Sequence, residues 1–148
     1  MTIEVSVATS ASPDLLAALN RLLPQLSSSA PPLTSVALER LLSTEGLTLF
    51  VASDDDAVVG TLSLVIWEIP TGVRACIEDV VVDAAARGRG VGRALTEAAL
   101  LEATCRHART VDLTSRPSRL AANALYLSLG FTQRETNVYR ILVETEDS

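Results

Sequence analysis

A run of arginine and glycine residues in the middle of the chain has the composition and spacing of a phosphate-binding turn. Residues 87–93 read Arg-Gly-Arg-Gly-Val-Gly-Arg and follow three consecutive valines at 80–82. Glycine lets a backbone approach a ligand closely, and a helix N-terminus presents unsatisfied N–H groups at the positive end of its dipole. The predicted anion-binding residues are Arg87, Gly88, Arg89, Gly90, Val91, Gly92 and Arg93.

Two common phosphate loops do not fit this run. The Walker loop requires a lysine, and the chain contains none. The dinucleotide fingerprint requires a small third residue, but that place falls on Arg93 or Leu95, depending on where the pattern starts. An unrelated nucleotide-binding α/β domain is therefore the weakest interpretation of the turn.

Charge is distributed unevenly along the chain. The formal net charge is −6, which argues against a general nucleic-acid binder. Residues 87–119, however, contain seven arginines against three acidic residues, a local net charge of +4. A small polyanionic ligand would suit such a patch.

A polar stripe runs along a second predicted helix, 119–129. Successive residues of a helix advance by about 100°, which places Arg119, Asn123 and Tyr126 on one stripe between apolar flanks. Such a face predicts the lining of a cleft, although a solvent-exposed surface stripe gives the same pattern.

Two adjacent acids, Glu78 and Asp79, interrupt the otherwise apolar segment 77–82. In a regular strand they point to opposite faces, so only one of them would face a substrate. A carboxylate is costly to bury without a partner, so at least one should face a cleft or a cation. Either acid, or a water chain, is a candidate general base.

The elements that must position these residues alternate between strand and helix. Alternating or β-branched apolar runs predict strands, and a period of 3.6 predicts helices. Ser12 and Pro13 predict the start of the first helix, and an acidic turn at 54–56 joins two strands. The predicted strands are 3–9, 47–53, 58–67, 73–83, 110–115, 131–135 and 137–143. The first predicted helix begins at residue 13, and the other three cover 35–44, 91–107 and 119–129. The tail 144–148 is expected to fray. The order β-α-α-β-β-β-α-β-α-β-β predicts one mixed α/β domain, residues 1–148, with a central sheet.

Two of these motifs resemble one known family. The pattern Arg87-x-x-Gly90-x-Gly92 resembles the acyl-CoA pyrophosphate loop of the GNAT family of N-acetyltransferases. The stretch from Asn123 and Tyr126 to Leu129-Gly130-Phe131 is similar to the family's second signature. The resemblance covers roughly residues 58–143, whereas the first fifty residues match only in element order.

The resemblance implies the GNAT fold and acetyl-CoA as the acyl donor. It implies that Asn123 bonds the pantetheine arm and that Tyr126 lies beside the thioester sulfur. Backbone N–H groups of Val80 and Val82 would bind the cofactor and stabilise the oxyanion. Strands at this place in the family often carry a bulge, so face parity does not choose between the two acids, and Glu78 is favoured as the base over Asp79.

The expected function is N-acetyl transfer from acetyl-CoA to a primary amine, with a non-catalytic acyl-CoA-binding regulatory module as the alternative. The acceptor stays open among small amines, aminosugars, amino acids and protein N-termini, and a homodimer is common in the family. No metal or nucleic-acid partner is expected. No apolar run reaches about 18 residues, which predicts a protein without a membrane span. The first residues do not resemble a signal peptide, and Cys76 and Cys105 are expected as reduced thiols. These two features predict a cytoplasmic protein. His107 is expected at the surface or in a helix cap.

Overall fold

The computed structural model describes residues 2–145, which form two compact units divided between Thr114 and Ser115. The first unit contains a sheet with helices, and the second contains one helix followed by an irregular segment. The elements of the first unit are β1 (Ile3–Val7), α1 (Pro13–Leu26), α2 (Ser35–Leu42), β2 (Leu47–Asp54), β3 (Ala57–Ile69), β4 (Gly72–Val82), a 3-10 turn (Ala84–Ala86), α3 (Val91–Cys105) and β5 (Thr110–Asp112).

The sheet has five strands in the order β1-β2-β3-β4-β5 among the described residues. Neighbours from β1 to β4 pair antiparallel, whereas β5 pairs parallel to β4. A parallel pair requires a crossover connection, and α3 supplies it. The mixed α/β class and the order of these elements confirm the prediction.

Local capping chemistry explains why the first two helices begin where they do. The Ser12 hydroxyl accepts a hydrogen bond from the Leu15 N–H at 3.1 Å, and the Thr34 hydroxyl accepts one from the Ala37 N–H at 3.1 Å. Each bond satisfies an N–H group that the helix itself leaves without a partner. The predicted start of α1 is confirmed.

The turn between β2 and β3 contains two residues, Asp55 and Asp56, with φ values of 47° and 72°. Two successive positive φ angles make a type I′ turn, which matches the right-handed twist of the flanking strands. Aspartate tolerates this left-handed region better than most side chains because it is short and polar. The predicted acidic hairpin turn is confirmed, with Asp54 inside the strand.

Both faces of the sheet are covered by apolar side chains. On one face, Leu15 and Leu19 of α1 and Leu38 of α2 pack against Leu49 and Val51 of β2. On the other face lies α3, whose buried apolar residues recur every four positions and so form one stripe, with the buried Thr96 beside it. The residues of the stripe are Val91, Leu95, Ala99 and Ala103.

The second unit contains α4 (Leu120–Ser128), and the two strands predicted after it are wrong. Residues 131–145 form neither helix nor strand. Tyr139 and Ile141 of this segment are both 86% exposed, so its apolar alternation is not accompanied by burial. Alternation specifies which side chains share a face, but a strand exists only where a neighbour satisfies its backbone groups.

Two further features concern the class of protein. Within residues 2–145, no helix is long and apolar enough to cross a membrane. The same part of the chain contains no group of three histidine, cysteine, aspartate or glutamate side chains that could hold a metal ion. Of the tail predicted to fray, residues 146–148 lie outside the described residues.

Candidate active site

A bulge in β4 lies where the sequence places its two adjacent acids. Ser63 of β3 pairs with Glu78, but Thr61 pairs with Val81, so β4 has one residue more than β3 across this interval. Asp79 has a φ of 47°. An extra residue in the left-handed region breaks the alternation of side chains along a strand, and the side chains of Glu78 and Asp79 are both exposed.

The bulge also marks the point at which β4 and β5 part. Their described pairing runs from Arg74, opposite Thr110, to Cys76, opposite Asp112. Beyond Cys76, the edge of β4 that faces away from β3 therefore has no strand partner among the described residues. This leaves an opening in the sheet beside the second half of β4.

Backbone direction decides which N–H groups line this opening. The Asp83 N–H donates to the Val59 carbonyl of β3 at 2.8 Å. Because successive N–H groups of a strand point to alternate edges, those of Val80 and Val82 point away from β3, toward the open edge. These are the two residues whose backbones the family resemblance assigns to the cofactor.

The glycine-rich turn connects this strand to α3. Gly88 and Gly90 have φ values of 79° and 83°, in the region that glycine adopts without strain. A Cβ atom added to either glycine would meet nothing within 4 Å, so both face open space. The turn thus exposes its backbone on one side, as close approach to a ligand requires.

The N-terminus of α3 begins directly after Gly90, which as the capping residue has no side chain to contribute. The first helical hydrogen bond runs from the Ala94 N–H to the Gly90 carbonyl at 3.0 Å. The N–H groups of Val91, Gly92 and Arg93 precede that ladder and are those that helix carbonyls do not satisfy. This arrangement suits an anion.

Arginine side chains surround the turn but also contact carboxylates. Arg89 lies 3.9 Å from Asp54, and Arg93 lies 3.4 Å from Glu97 one helical turn later. The side chain of Arg87 is exposed. Such exposed ion pairs are weak, so they offer little resistance to a phosphate that replaces the carboxylate.

The start of the turn is fixed by Asp83. Its carboxylate accepts from the Ala85 N–H at 3.1 Å and forms an ion pair with Arg21 of α1. The hydrogen bond from Ala85, followed by those from Arg21 and Gln25, lowers the pKa of Asp83. Gln25 also accepts from the Ala84 N–H at 2.9 Å, so α1 contacts two adjacent residues where this short segment begins.

Cys76 is the site residue that the sequence analysis did not assign. Its Sγ lies 3.2 Å from Oε1 of Glu78. Burial raises the pKa of Cys76 to about 12, and the hydrogen bond to Glu78 and the charges of Glu78 and Asp112 act in the same direction. The thiol is therefore protonated near neutrality and a poor nucleophile. Cys76 and Glu78 are two residues apart on one strand and therefore share a face, and this spacing is the sequence signal that could have linked them.

In the second unit, Asn123 and Tyr126 lie on α4 as predicted. The Asn123 side chain donates to the Arg116 carbonyl at 3.0 Å, which orients its amide. The Tyr126 ring is 7% exposed and contacts Phe131 edge-on, with 5.8 Å between ring centroids. Burial raises the pKa of Tyr126, against the opposing charge of Arg119, so its hydroxyl is protonated near neutrality.

His107 is the left-handed residue that follows Arg106, the C-capping residue of α3, and has a φ of 61°. Its N–H donates to the Thr104 carbonyl at 3.1 Å, and the Ala108 N–H donates to the Ala103 carbonyl at 3.0 Å. These two bonds define a Schellman cap. The expected capping role is confirmed.

Comparison with known proteins decides the family. The model of the acetyltransferase (GNAT) family matches residues 15–131. The chain belongs to this family. A protein of Agrobacterium tumefaciens strain C58, assigned provisionally as an acetyltransferase, is 32% identical to this GNAT chain, with a TM-score of 0.83 over 94% of this chain and 99% of that one. An acetyltransferase of Trypanosoma brucei is 29% identical, with a TM-score of 0.79 over 95% of this chain and 100% of that one.

A curated relative matches a shorter part of the GNAT chain. Mycothiol acetyltransferase of Amycolatopsis mediterranei strain U-32 is 48% identical over 57 residues. The match covers 38% of this chain but 19% of that protein. These relatives confirm the family resemblance and the GNAT fold.

Proposed function

We infer that this GNAT chain transfers an acetyl group from acetyl-CoA to a primary amine by direct attack of the amine on the thioester. One observation carries the proposal, namely that the open edge of the bulged β4 leads directly into the glycine-rich turn and the N-terminus of α3. Backbone N–H groups thus follow one another from a strand to a helix terminus, which suits an extended ligand that ends in phosphates.

The donor binds along this path. The pyrophosphate occupies the turn from Arg87 to Arg93, where N–H groups and arginines meet its charge. The N–H groups of Val80 and Val82 bind the pantetheine arm and stabilise the oxyanion of the tetrahedral intermediate. On the family resemblance, Asn123 bonds the pantetheine arm and Tyr126 lies beside the thioester sulfur.

Glu78 serves as the general base. An alkylammonium has a pKa near 10.4, so most of the acceptor must lose a proton before it can attack. One proton of the ammonium passes to solvent, which leaves the neutral amine. As the amine nitrogen bonds to the carbonyl carbon it becomes positively charged, and its second proton passes to the Glu78 carboxylate, directly or through water. The carbon–sulfur bond then breaks and coenzyme A leaves as a thiolate. Asp79, at the extra position of the bulge, shapes the strand that holds Glu78.

Tyr126 stabilises the departing thiolate by a hydrogen bond. A coenzyme A thiol that resembles cysteine has a pKa near 8.5, whereas burial raises that of Tyr126 above its ordinary value. Complete proton transfer from the phenol to the thiolate would therefore run uphill, and hydrogen-bond donation suffices. The final proton on the thiol comes from solvent.

The alternative is a non-catalytic acyl-CoA-binding module on the same fold. A panel of amines separates the two functions, and it should include aminosugars, amino acids, polyamines and peptides with free N-termini. We expect release of free thiol from acetyl-CoA that depends on one class of amine. Tight donor binding without amine-dependent release for any member would favour the binding module. The two free cysteines fit a reducing compartment, and we place the protein in the cytoplasm.

A further inference from the structure

We propose that Cys76 is a positioning residue, whose thiol orients the carboxylate of Glu78 for proton abstraction. The proposal deepens the function inferred above and rests on Glu78 as the base. It assigns no covalent step to the cysteine.

Geometry carries this inference. Cys76 and Glu78 are two residues apart on β4 and share a face, with 3.2 Å between Sγ and Oε1. The bulge begins immediately after Glu78, so the regular strand that fixes its backbone ends there. An exposed glutamate has several rotamers, and a base acts only within hydrogen-bond reach of its proton. The Cys76 thiol, two residues earlier on the same face of the strand, donates a hydrogen bond to the Glu78 carboxylate and so favours one of those rotamers.

The surroundings keep the thiol in the donating form. Glu78 on β4 and Asp112, paired with Cys76 on β5, place negative charge beside the sulfur. From β3, the residues opposite Glu78 and Cys76 are Ser63 and Val65, which carry no charge. Burial raises the pKa of Cys76 to about 12. A thiolate would repel the carboxylate, whereas the thiol donates to it.

The test measures kcat and KM for acetyl-CoA in the full chain, with thermal midpoints as a check on folding. Cys76→Val removes the donor at similar volume and suits a strand, and Cys76→Ala is a second variant without a donor. Cys76→Ser keeps a hydroxyl that can donate. Cys105→Ala is the control, since this cysteine is exposed and lies at the end of α3. Each change at position 76 is also made in a Glu78→Gln background.

We expect Cys76→Val to lower kcat roughly tenfold with KM for acetyl-CoA unchanged, because misplacement of a base affects chemistry more than donor binding. Cys76→Ser should recover most of the loss, and Cys105→Ala should match the wild type. In the Glu78→Gln background, Cys76→Val should have no further effect, since its partner is already altered. Only a positioning role predicts that non-additivity.

Several outcomes would overturn the proposal. One is an equal fractional loss from Cys76→Val in both backgrounds, and another is an unchanged kcat in a folded Cys76→Val or Cys76→Ala variant. Full activity of Glu78→Gln would remove both the base and its positioning residue, while amine acetylation by the wild type would still stand. An inactive wild type would instead contradict the proposed function itself.

Discussion

Gly60 of β3 lies so close to Val91 of α3 that a Cβ atom added to the glycine would lie 2.9 Å from the valine Cγ1. The same Cβ would lie 3.1 Å from the backbone oxygen of Val81. Gly60 pairs with Val82, the last residue of β4. Absence of a side chain at position 60 therefore lets the first turn of α3 rest on the sheet beside the end of β4, where the glycine-rich turn starts.

Gly60→Ala should destabilise the protein, because the added methyl group overpacks this contact by about 1–3 kcal/mol. Chemical denaturation measures the change in the free energy of unfolding. Val91→Ala removes the atom that the new methyl group would meet. If the contact is the cause, Val91→Ala should cost less in the Gly60→Ala variant than in the wild type. Equal costs in both would show that Val91 does not limit the space.

Gly90→Asn should weaken coenzyme A binding by at least tenfold, which is about 1.4 kcal/mol. Asparagine tolerates a positive φ, so the fold should survive, but its side chain would occupy the open space in which a pyrophosphate would lie. Calorimetric titration with coenzyme A measures the affinity. Gly130→Asn is the matched control, since Gly130 also has a positive φ and open space but lies after α4. Equal affinity for both variants and the wild type would contradict the proposed donor site.

Cys76 should react with iodoacetamide far more slowly than a peptide thiol at pH 8. With a pKa of about 12, the thiolate fraction at pH 8 is about 10⁻⁴, against about a quarter for an ordinary cysteine. The rate should keep rising with pH beyond 9, where a peptide thiol levels off. Glu78→Gln should speed the reaction, because Glu78 raises that pKa through both its hydrogen bond and its charge. Mass spectrometry resolves the two cysteines, and alkylation of Cys76 at the peptide rate would refute a half-buried thiol that stays protonated.

Tyr126→Phe should lower turnover by roughly 10²-fold, the order of loss found when one hydrogen-bond donor to a developing anion is removed. Donor affinity should change little, because the substitution removes one hydroxyl and keeps the ring that contacts Phe131. Tyr139→Phe is the control, since that tyrosine is 86% exposed. A Tyr126→Phe variant within about twofold of the wild type would reduce Tyr126 to a packing residue.

Elements specified by local chemistry were predictable from the sequence. Ser12 and Pro13 locate the start of α1 because capping depends on residues within one turn. The glycines at 88 and 90 indicate a turn with positive φ, which is also a local requirement. Asn123 and Tyr126 were placed on α4 by helical periodicity alone.

Features that depend on pairing were not predictable in the same way. The position of the bulge at Asp79 follows from the register between β3 and β4, which no single segment specifies. The strands expected at 131–135 and 137–143 are absent because alternation does not supply a neighbouring strand. The contact between Cys76 and Glu78 follows from face parity, but only the structure shows that the two side chains meet.

The most direct test of the central claim follows the acetyl group itself. The protein is mixed with acetyl-CoA labelled in the acetyl group and with the amine from the panel that gives thiol release from acetyl-CoA. Mass spectrometry then measures the masses of both the protein and the amine. Direct transfer predicts label on the amine in equal amount to the thiol released, and none on the protein with or without the amine. Label on Cys76 or another protein residue before it reaches the amine, or thiol released without labelled amine, would contradict the account.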